Sequence, residues 1–171
     1  MSDEADMSRM QIFRAKDGQG LMEEGCMTIE EFTPVQRDGM TKLVEAGYME
    51  GDEITVLVNI PGFSLTHVWF KRDYPLPLHS HDADCLYYII AGSLRMGTEE
   101  LGERDSFFIP ADVPYAYRPG PEGVELLEIR QASTFNFAAK GNSAQYWAKL
   151  AETCAANRDH WKSAGRPKLK A

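Results

Sequence analysis

The stretch Pro75-Leu-Pro-Leu-His79-Ser-His81-Asp-Ala-Asp-Cys85-Leu-Tyr-Tyr-Ile-Ile-Ala-Gly92 decides the fold of this chain. Its two prolines disfavour helix in the residues just before them. His79 and His81 stand one residue apart on an extended segment, so their imidazoles share one face. Residues 86–90 are aromatic and β-branched and end at Ala91-Gly92, which predicts a strand followed by a turn. The stretch therefore predicts two nitrogen ligands beside a buried strand, and imidazole suits zinc, copper, iron and nickel alike.

A second stretch, Gly102-Glu-Arg-Asp105-Ser-Phe-Phe-Ile-Pro110-Ala-Asp-Val-Pro114-Tyr115, combines a turn, a short strand and a Pro-rich turn. Together the two stretches resemble the two motifs of the cupin superfamily. In those motifs His-x-His is followed by Glu and then Gly, and a Gly-Asp turn, a strand and a Pro-x-Gly turn are followed by His. The resemblance implies an all-β fold, a single cupin-like antiparallel β-barrel (a double-stranded β-helix, or jelly roll).

The resemblance also implies a metal site, because two of the four usual ligand positions fall on His79 and His81. The Glu position, counted back from Gly92, falls on Cys85, and the last His position falls on Tyr115. A thiol and a phenol can bind a metal only after losing protons with pKa values of about 8.5 and about 10. The implied cofactor is a divalent transition metal. Iron is expected, and zinc, nickel or manganese are the alternatives.

Further candidate residues follow from strand parity. Tyr117 shares a face with Tyr115, and either phenol could donate to a substrate oxygen. Glu128 lies on the same face as hydrophobic neighbours, where a carboxylate requires a partner if it is buried. His67 shares a strand face with Trp69 and is a candidate for a third metal ligand, although a core or rim histidine is the alternative. Tyr115 and Cys85 are thus the candidate catalytic groups, whereas Tyr117, Glu128 and His67 are candidates for binding a cofactor or ligand. Which face of residues 124–130 points inward stays open at this point.

Short strands separated by Gly and Pro recur along the middle of the chain, which indicates a sandwich or barrel. Strands are predicted at residues 54–60, 64–70, 93–96, 106–109, 115–118 and 124–130, with turns at Gly92 and at residues 119–123. A helical turn or two is predicted within residues 38–47. Asn142 or Ser143 can cap a C-terminal helix that ends at about residue 162. The predicted boundaries are an N-terminal arm (residues 1–49), the barrel (50–132) and a C-terminal helical segment with a tail (133–171).

Composition excludes several classes of function. The 171 residues fit one domain, and the net charge of −8, without a basic stripe, argues against a nucleic-acid partner. No apolar run approaches about 18 residues, so no membrane span is predicted. The acidic N-terminus lacks the features of a signal peptide. Three widely spaced cysteines (Cys26, Cys85 and Cys154) suit reduced thiols, and the cytoplasm is the predicted location.

Two functions are compatible with these residues. The resemblance implies a metal-dependent, dioxygenase-type oxidoreductase that acts on a small organic substrate. The alternative is a metal-free cupin that binds or senses a small molecule without catalysis, with tyrosines orienting the ligand. In both cases the expected partners are a small molecule and a second copy of the chain. A homodimer is predicted because open barrels have edge strands that favour pairing, and part of residues 1–50 would form its interface.

Overall fold

A computed structural model describes residues 7–169, so residues 1–6 of the predicted arm lie outside the described residues. Within this range the chain is mainly antiparallel β-structure with helices at either end of the sequence. The strands are β1 Gln19–Gly20, β2 Met27–Ile29, β3 Asp52–Ile60, β4 Phe63–Phe70, β5 His79–Ser80, β6 Cys85–Met96, β7 Glu99–Gly102, β8 Ser106–Ile109, β9 Arg118–Arg130 and β10 Phe135–Ala139. The α-helices are α1 Leu21–Glu24, α2 Pro34–Glu45 and α3 Ala144–Ser163, and short 3-10 helices occur at Ala15–Asp17 and Tyr48–Glu50.

Two sheets form the framework. The larger sheet has the strand order β1-β3-β4-β9-β6-β7, and β8 pairs with the first part of β6. In the smaller sheet β10 lies between β2, to which it runs parallel, and β5, to which it runs antiparallel. Alternate side chains of β4, β6 and β9 are buried, among them Val68, Ile89 and Leu126. The predicted all-β antiparallel barrel with a C-terminal helix is confirmed.

The predicted turns at Gly92 and at residues 119–123 are wrong, because both segments lie inside long strands. β6 continues through Gly92, β9 continues through Gly123, and the β6–β9 register shifts close to Gly92. Both glycines have positive φ, 77° and 80°. A Cβ at Gly92 would overlap the Gly123 carbonyl oxygen. The pair therefore forms a bulge that bends two strands, and the sequence signal of such a bulge is the same as that of a turn.

Segments on both sides of the predicted barrel contribute to the sheets. Strand β2 pairs with β10, and β10 pairs with β5, so strands from outside residues 50–132 flank the histidine segment. Helix α2 is longer than the predicted turn or two. It begins at Pro34 because Thr33 and Gln36 form a capping box and proline suits the first helical position. Within residues 7–169, no helix is long and apolar enough to cross a bilayer.

Helix α2 packs against α3 through a single small residue, Gly39. The Trp147 ring lies directly over Gly39, and its indole N–H donates to the carbonyl of Gly141 at 3.1 Å. Trp147 is fully buried. This contact fixes the two helices against each other.

We expect Gly39→Ala to destabilise the protein by about 1–3 kcal/mol, because the added methyl group overlaps the Trp147 ring. Alanine is a better helix former than glycine by about 1 kcal/mol, so helix propensity alone predicts that Gly39→Ala stabilises the protein. Urea unfolding measures the free energy of unfolding. Gly102→Ala is the control, because nothing lies within 4 Å of a Cβ at Gly102. A Gly39→Ala protein as stable as wild type would contradict the packing argument.

Candidate functional site

The two motif histidines lie side by side in the barrel interior. His79 belongs to β5 and His81 follows it, and only 3% and 8% of their surfaces are exposed. Their ring centroids are 4.8 Å apart. The backbone of His79 pairs with Ala139 on one side and with Tyr115 on the other. The predicted common face of the two imidazoles is therefore present, and Tyr115 is brought to it by backbone pairing.

Each imidazole is fixed by a backbone carbonyl. Nδ1 of His79 lies 2.6 Å from the Pro77 oxygen, and Nδ1 of His81 contacts the Asn136 oxygen. A carbonyl only accepts, so both Nδ1 atoms carry the proton and both Nε2 atoms keep a lone pair. Within residues 7–169, Nε2 of His81 makes no hydrogen bond. Two acceptor nitrogens are thus held in the interior.

A chain of hydroxyl groups ends on His79. The Tyr115 hydroxyl lies 3.1 Å from Nε2 of His79 and donates to it. The hydroxyl of Tyr87, a buried residue of β6, contacts the Tyr115 hydroxyl. Tyr87 can therefore donate to Tyr115, and the order Tyr87, Tyr115, His79, Pro77 forms a continuous path of hydrogen bonds. Tyr115 is the ligand-position residue of the second motif, whereas Tyr87 is an additional member.

A buried ion pair on β9 lies in the same interior. Arg130 is 1% exposed, and its Nη1 donates to the Glu128 carboxylate at 2.7 Å. The guanidinium lies over the Phe135 ring, with 4.0 Å between Cζ and the ring centroid. The same ring contacts His81 edge-on at 5.3 Å. The face of β9 that bears Glu128 therefore points inward, which answers the question that strand parity left open.

Burial keeps the other titratable groups of the site neutral. It lowers the pKa of His79 to about 3, and the neighbouring His81 acts in the same direction. Burial and then Arg130 lower the pKa of His81. Burial, reinforced by Glu128, raises the pKa of Cys85 to about 12 and also raises the pKa of Tyr115. At neutral pH the Glu128–Arg130 pair is consequently surrounded by neutral imidazole, thiol and phenol groups.

The side chains present do not complete a metal site. Across residues 7–169, no group of three or more His, Cys, Asp or Glu side chains is arranged to hold an ion. His79 and His81 offer two nitrogens, but one of them already accepts from Tyr115. The two remaining ligand positions hold protonated groups, Cys85 and Tyr115, whose pKa values are raised by burial. The donor set therefore falls short of the four ligands that the motif resemblance implies.

The remaining predicted site residues divide between the interior and the outside. Cys85 is buried and shares the inward face of β6 with Tyr87. Tyr117 is buried and contacts Tyr115, with ring centroids 6.3 Å apart. His67 lies on the other face of β4 from the core residue Val68 and pairs with Glu125 at 2.8 Å. The structure thus brings Cys85 and Tyr117 to the cluster and separates His67 from it.

One described cavity lies beside α3, which contributes Tyr146 to its lining. It has a volume of about 320 Å³, and its lining includes Tyr74, Tyr117, Tyr146, Arg95 and Arg118. A second, wider concavity of about 530 Å³ lies beside Gly92 and Arg104 on the outer surface. Neither includes His79 or His81 in its lining.

Sequence reasoning missed four polar residues of the interior: Arg130, Tyr87, Ser64 and Thr66. Each has the strand parity of a known inward neighbour. Arg130 follows Glu128 by two, Tyr87 follows Cys85 by two, and Ser64 and Thr66 precede Val68 by four and two. Parity could have found all four once one inward residue of each strand was known. Arg130 was missed because arginine is rarely buried, so residue type alone predicts an exposed side chain.

Comparison with known proteins agrees with the fold. No family model matches the sequence, and no curated protein matches it. Among solved structures, a polyketide cyclase, RemF from Streptomyces resistomycificus, aligns over 62% of this chain and 82% of its own, with a TM-score of 0.52 and 19% identity. An RmlC-like cupin from Shewanella frigidimarina aligns over 47% of this chain and 76% of its own, with a TM-score of 0.43 and 21% identity.

A third structure concerns metals. It is the oxalate decarboxylase of Bacillus subtilis, a protein with Mn(II) centres. It aligns over 56% of this chain and 27% of its own, with a TM-score of 0.43 and 21% identity. At these identities the likeness extends to the architecture alone. With two motif histidines on one inward face and an antiparallel double sheet, this chain has the cupin fold.

Proposed function

We propose that the barrel binds a small organic molecule against His79, His81 and Tyr115 without a metal ion. The observation that carries this proposal is the hydrogen-bonded path Tyr87–Tyr115–His79–Pro77, in which every group is neutral. A buried neutral network binds polar ligands by offering prearranged donors and acceptors. The two positions that the family fills with Glu and His hold a thiol and a phenol here, each of which must lose a proton before it can bind a metal, and this favours the metal-free reading.

The cluster offers both roles that a bound molecule needs. Nε2 of His81 has a lone pair and can accept from a ligand hydroxyl or amine. Each phenol has one proton, so Tyr115 can donate to a ligand oxygen only by giving up its bond to His79, and Tyr87 only by giving up its bond to Tyr115.

The proposal predicts that the purified protein retains no stoichiometric metal. After incubation with Fe²⁺, Mn²⁺, Ni²⁺ or Zn²⁺ and desalting, wild type and a His79→Ala, His81→Ala double variant should carry the same small amount, because two imidazoles do not complete a site. Elemental analysis measures the content. His160→Gln is the control for adventitious binding by an exposed histidine. Retention of about one ion per chain by wild type, lost only in the double variant, would contradict the metal-free proposal.

A second candidate keeps the metal. Both histidines have Nδ1 fixed to a backbone carbonyl and Nε2 free of a proton, which is the arrangement that metal-binding imidazoles usually have. In this candidate His79 and His81 would hold a divalent ion, with iron expected, and Tyr115 or the substrate would complete the shell. The ion would supply open positions for a dioxygenase-type reaction. The metal analysis described above separates the two candidates.

The neutral state of His79 predicts an acid-labile fold. The pKa of His79 falls from 6.5 to about 3 on folding. Between these values the unfolded chain binds a proton that the folded chain does not, so stability falls as the pH falls below about 6.5. For a histidine this buried the loss is on the order of a few kcal/mol.

Urea unfolding of wild type and His79→Gln between about pH 4 and 7 measures this contribution. Glutamine offers an amide near the position of Nε2 but does not titrate, so the variant should lose less stability on acidification than wild type. His160→Gln, at an exposed histidine, should follow wild type. Identical pH dependence in wild type and His79→Gln would show that His79 is not buried neutral.

We also infer a homodimer formed through the N-terminal arm. Met10, Ile12 and Phe13 are exposed by 87%, 66% and 45%, a density of exposed apolar side chains that is unusual for a monomer surface.

The cytoplasmic location stays a prediction, and all three cysteines are free and buried.

The wild-type protein should therefore have twice the chain mass of 19.2 kDa by light scattering, and the double variant Ile12→Asp, Phe13→Asp should be monomeric. The introduced charges would make the apolar contact unfavourable. Val113→Asp is the control, because Val113 is an exposed apolar residue outside residues 1–50. A wild type that is monomeric at tens of micromolar would exclude the dimer.

A further inference from the structure

Arg130 has two hydrogen-bond donors that nothing in the described chain satisfies. Within residues 7–169, neither Nε nor Nη2 of Arg130 has a hydrogen-bond partner, although the residue is 1% exposed. Burying a charged donor without a partner costs more than the bond itself would contribute. Nearly all buried polar groups in proteins are paired, so each exception requires an explanation.

The unpaired atoms form one edge of the guanidinium. Nη1, at the other side of the group, is taken by Glu128, and the flat face is covered by Phe135. The open edge therefore presents two parallel N–H groups. Such an edge matches the two oxygens of a carboxylate, which accept both bonds at once, whereas a single water molecule aligns well with only one.

Two further unpaired groups lie on the same inward faces. Ser64 is the direct cross-strand partner of Arg130 in the β4–β9 pair, and Thr66 is the partner of Glu128. Both residues are 1% exposed. The hydroxyl oxygens of both have no partner within the described residues. A cross-strand neighbour on the same face lies within about 5.5 Å between Cβ atoms. Three unsatisfied polar side chains are therefore gathered in one part of the interior.

We propose that Arg130, Ser64 and Thr66 form the subsite for a carboxylate group of a small organic acid. The guanidinium edge would bind both carboxylate oxygens, and the two hydroxyls would donate to the lone pairs that remain. The rest of the molecule would extend towards His81, whose ring shares the Phe135 contact with Arg130. The carboxylate is one end of the small molecule that the barrel is proposed to hold, so this assignment rests on the proposed function.

The charge balance favours a carboxylate over a phosphate. Arg130 is already paired with Glu128, and the neighbouring histidines are neutral. A dianion would add two negative charges beside one carboxylate and one guanidinium, whereas a monoanion adds only one. Among the described residues at this subsite, Arg130 is the cation, and it has two donors left.

Matched pairs of small acids and their amides test the subsite. Acetate and benzoate are compared with acetamide and benzamide at equal ionic strength, and sulfate and phosphate provide the inorganic anions. Thermal unfolding over a concentration series gives an apparent Kd for each probe. At least one of the two acids should stabilise the wild type, and its amide and the inorganic anions should bind at least about tenfold more weakly.

Variants locate the bound group. Arg130→Gln should weaken binding of the acid by about 10- to 100-fold, and Ser64→Ala and Thr66→Val by about 2- to 10-fold each. The two hydroxyl variants keep the Arg130–Glu128 ion pair, so they test the subsite even if Arg130→Gln does not fold. Arg158→Gln is the matched control, because it removes an exposed arginine that binds Glu50 at 2.8 Å and lines neither described cavity. It should leave the affinity unchanged.

The outcomes separate this assignment from the proposed function. If the amides bind as tightly as the acids and the variants have no effect, the carboxylate subsite is wrong while small-molecule binding stands. Preference for sulfate or phosphate likewise overturns it. If no probe binds, both the subsite and the small-molecule function are contradicted. The subsite is also wrong if Arg130→Gln binds the acid as tightly as wild type does. It is likewise wrong if both hydroxyl variants bind the acid as tightly as wild type does.

Discussion

The antiparallel pairing of β6 with β9 is the contact on which the interior depends. It continues past the point where Gly92 meets the Gly123 carbonyl, where any side chain would separate the strands. Both glycines have positive φ, a conformation that costs other residues about 1 kcal/mol or more. Because side chains alternate along a strand, this register decides that Tyr87 and Glu128 point into the same space. A slip of one residue in β6 would turn Tyr87 outward, and a slip in β9 would turn Glu128 and Arg130 outward.

This register also creates the main electrostatic problem of the fold. A guanidinium and a carboxylate are taken out of water in the middle of an aromatic core, at a desolvation cost of several kcal/mol per ion. Glu128 compensates Arg130 on one nitrogen, and the Phe135 ring covers its face. The histidines respond to the same environment by staying neutral, since burial and the nearby cation both lower the pKa of His81. The polar residues of the interior are thus electrostatically coupled.

Strand alternation allowed the sequence to predict much of the site. His79, His81 and Cys85 were expected on inward faces, because the alternation of side chains along a strand does not depend on where the strand is predicted to begin or end. All three are buried in the structure. The same rule failed to separate a turn from a bulge at Gly92, because glycine favours both. Helix α2 was underestimated because the start signal at Thr33–Pro34 precedes the residues that look helical. Arg130 could not be predicted from propensity, since burial of a charge depends on partners that are distant in sequence.

The buried arginine supplies a physical argument for the metal-free proposal. A divalent ion and a guanidinium are alternative ways to hold an acidic ligand, one by coordination and the other by paired hydrogen bonds. Placing both in one low-dielectric interior sets two cations against each other, and their repulsion is weakly screened there. Arg130 already lowers the pKa of both histidines, which is the same repulsion acting on a proton instead of a metal. The protonated states of Cys85 and Tyr115 follow the same logic, because Glu128 raises both of their pKa values after burial has done so. Among the described residues of this interior, the fixed cation is Arg130 of strand β9, and the neutral groups around it donate and accept hydrogen bonds.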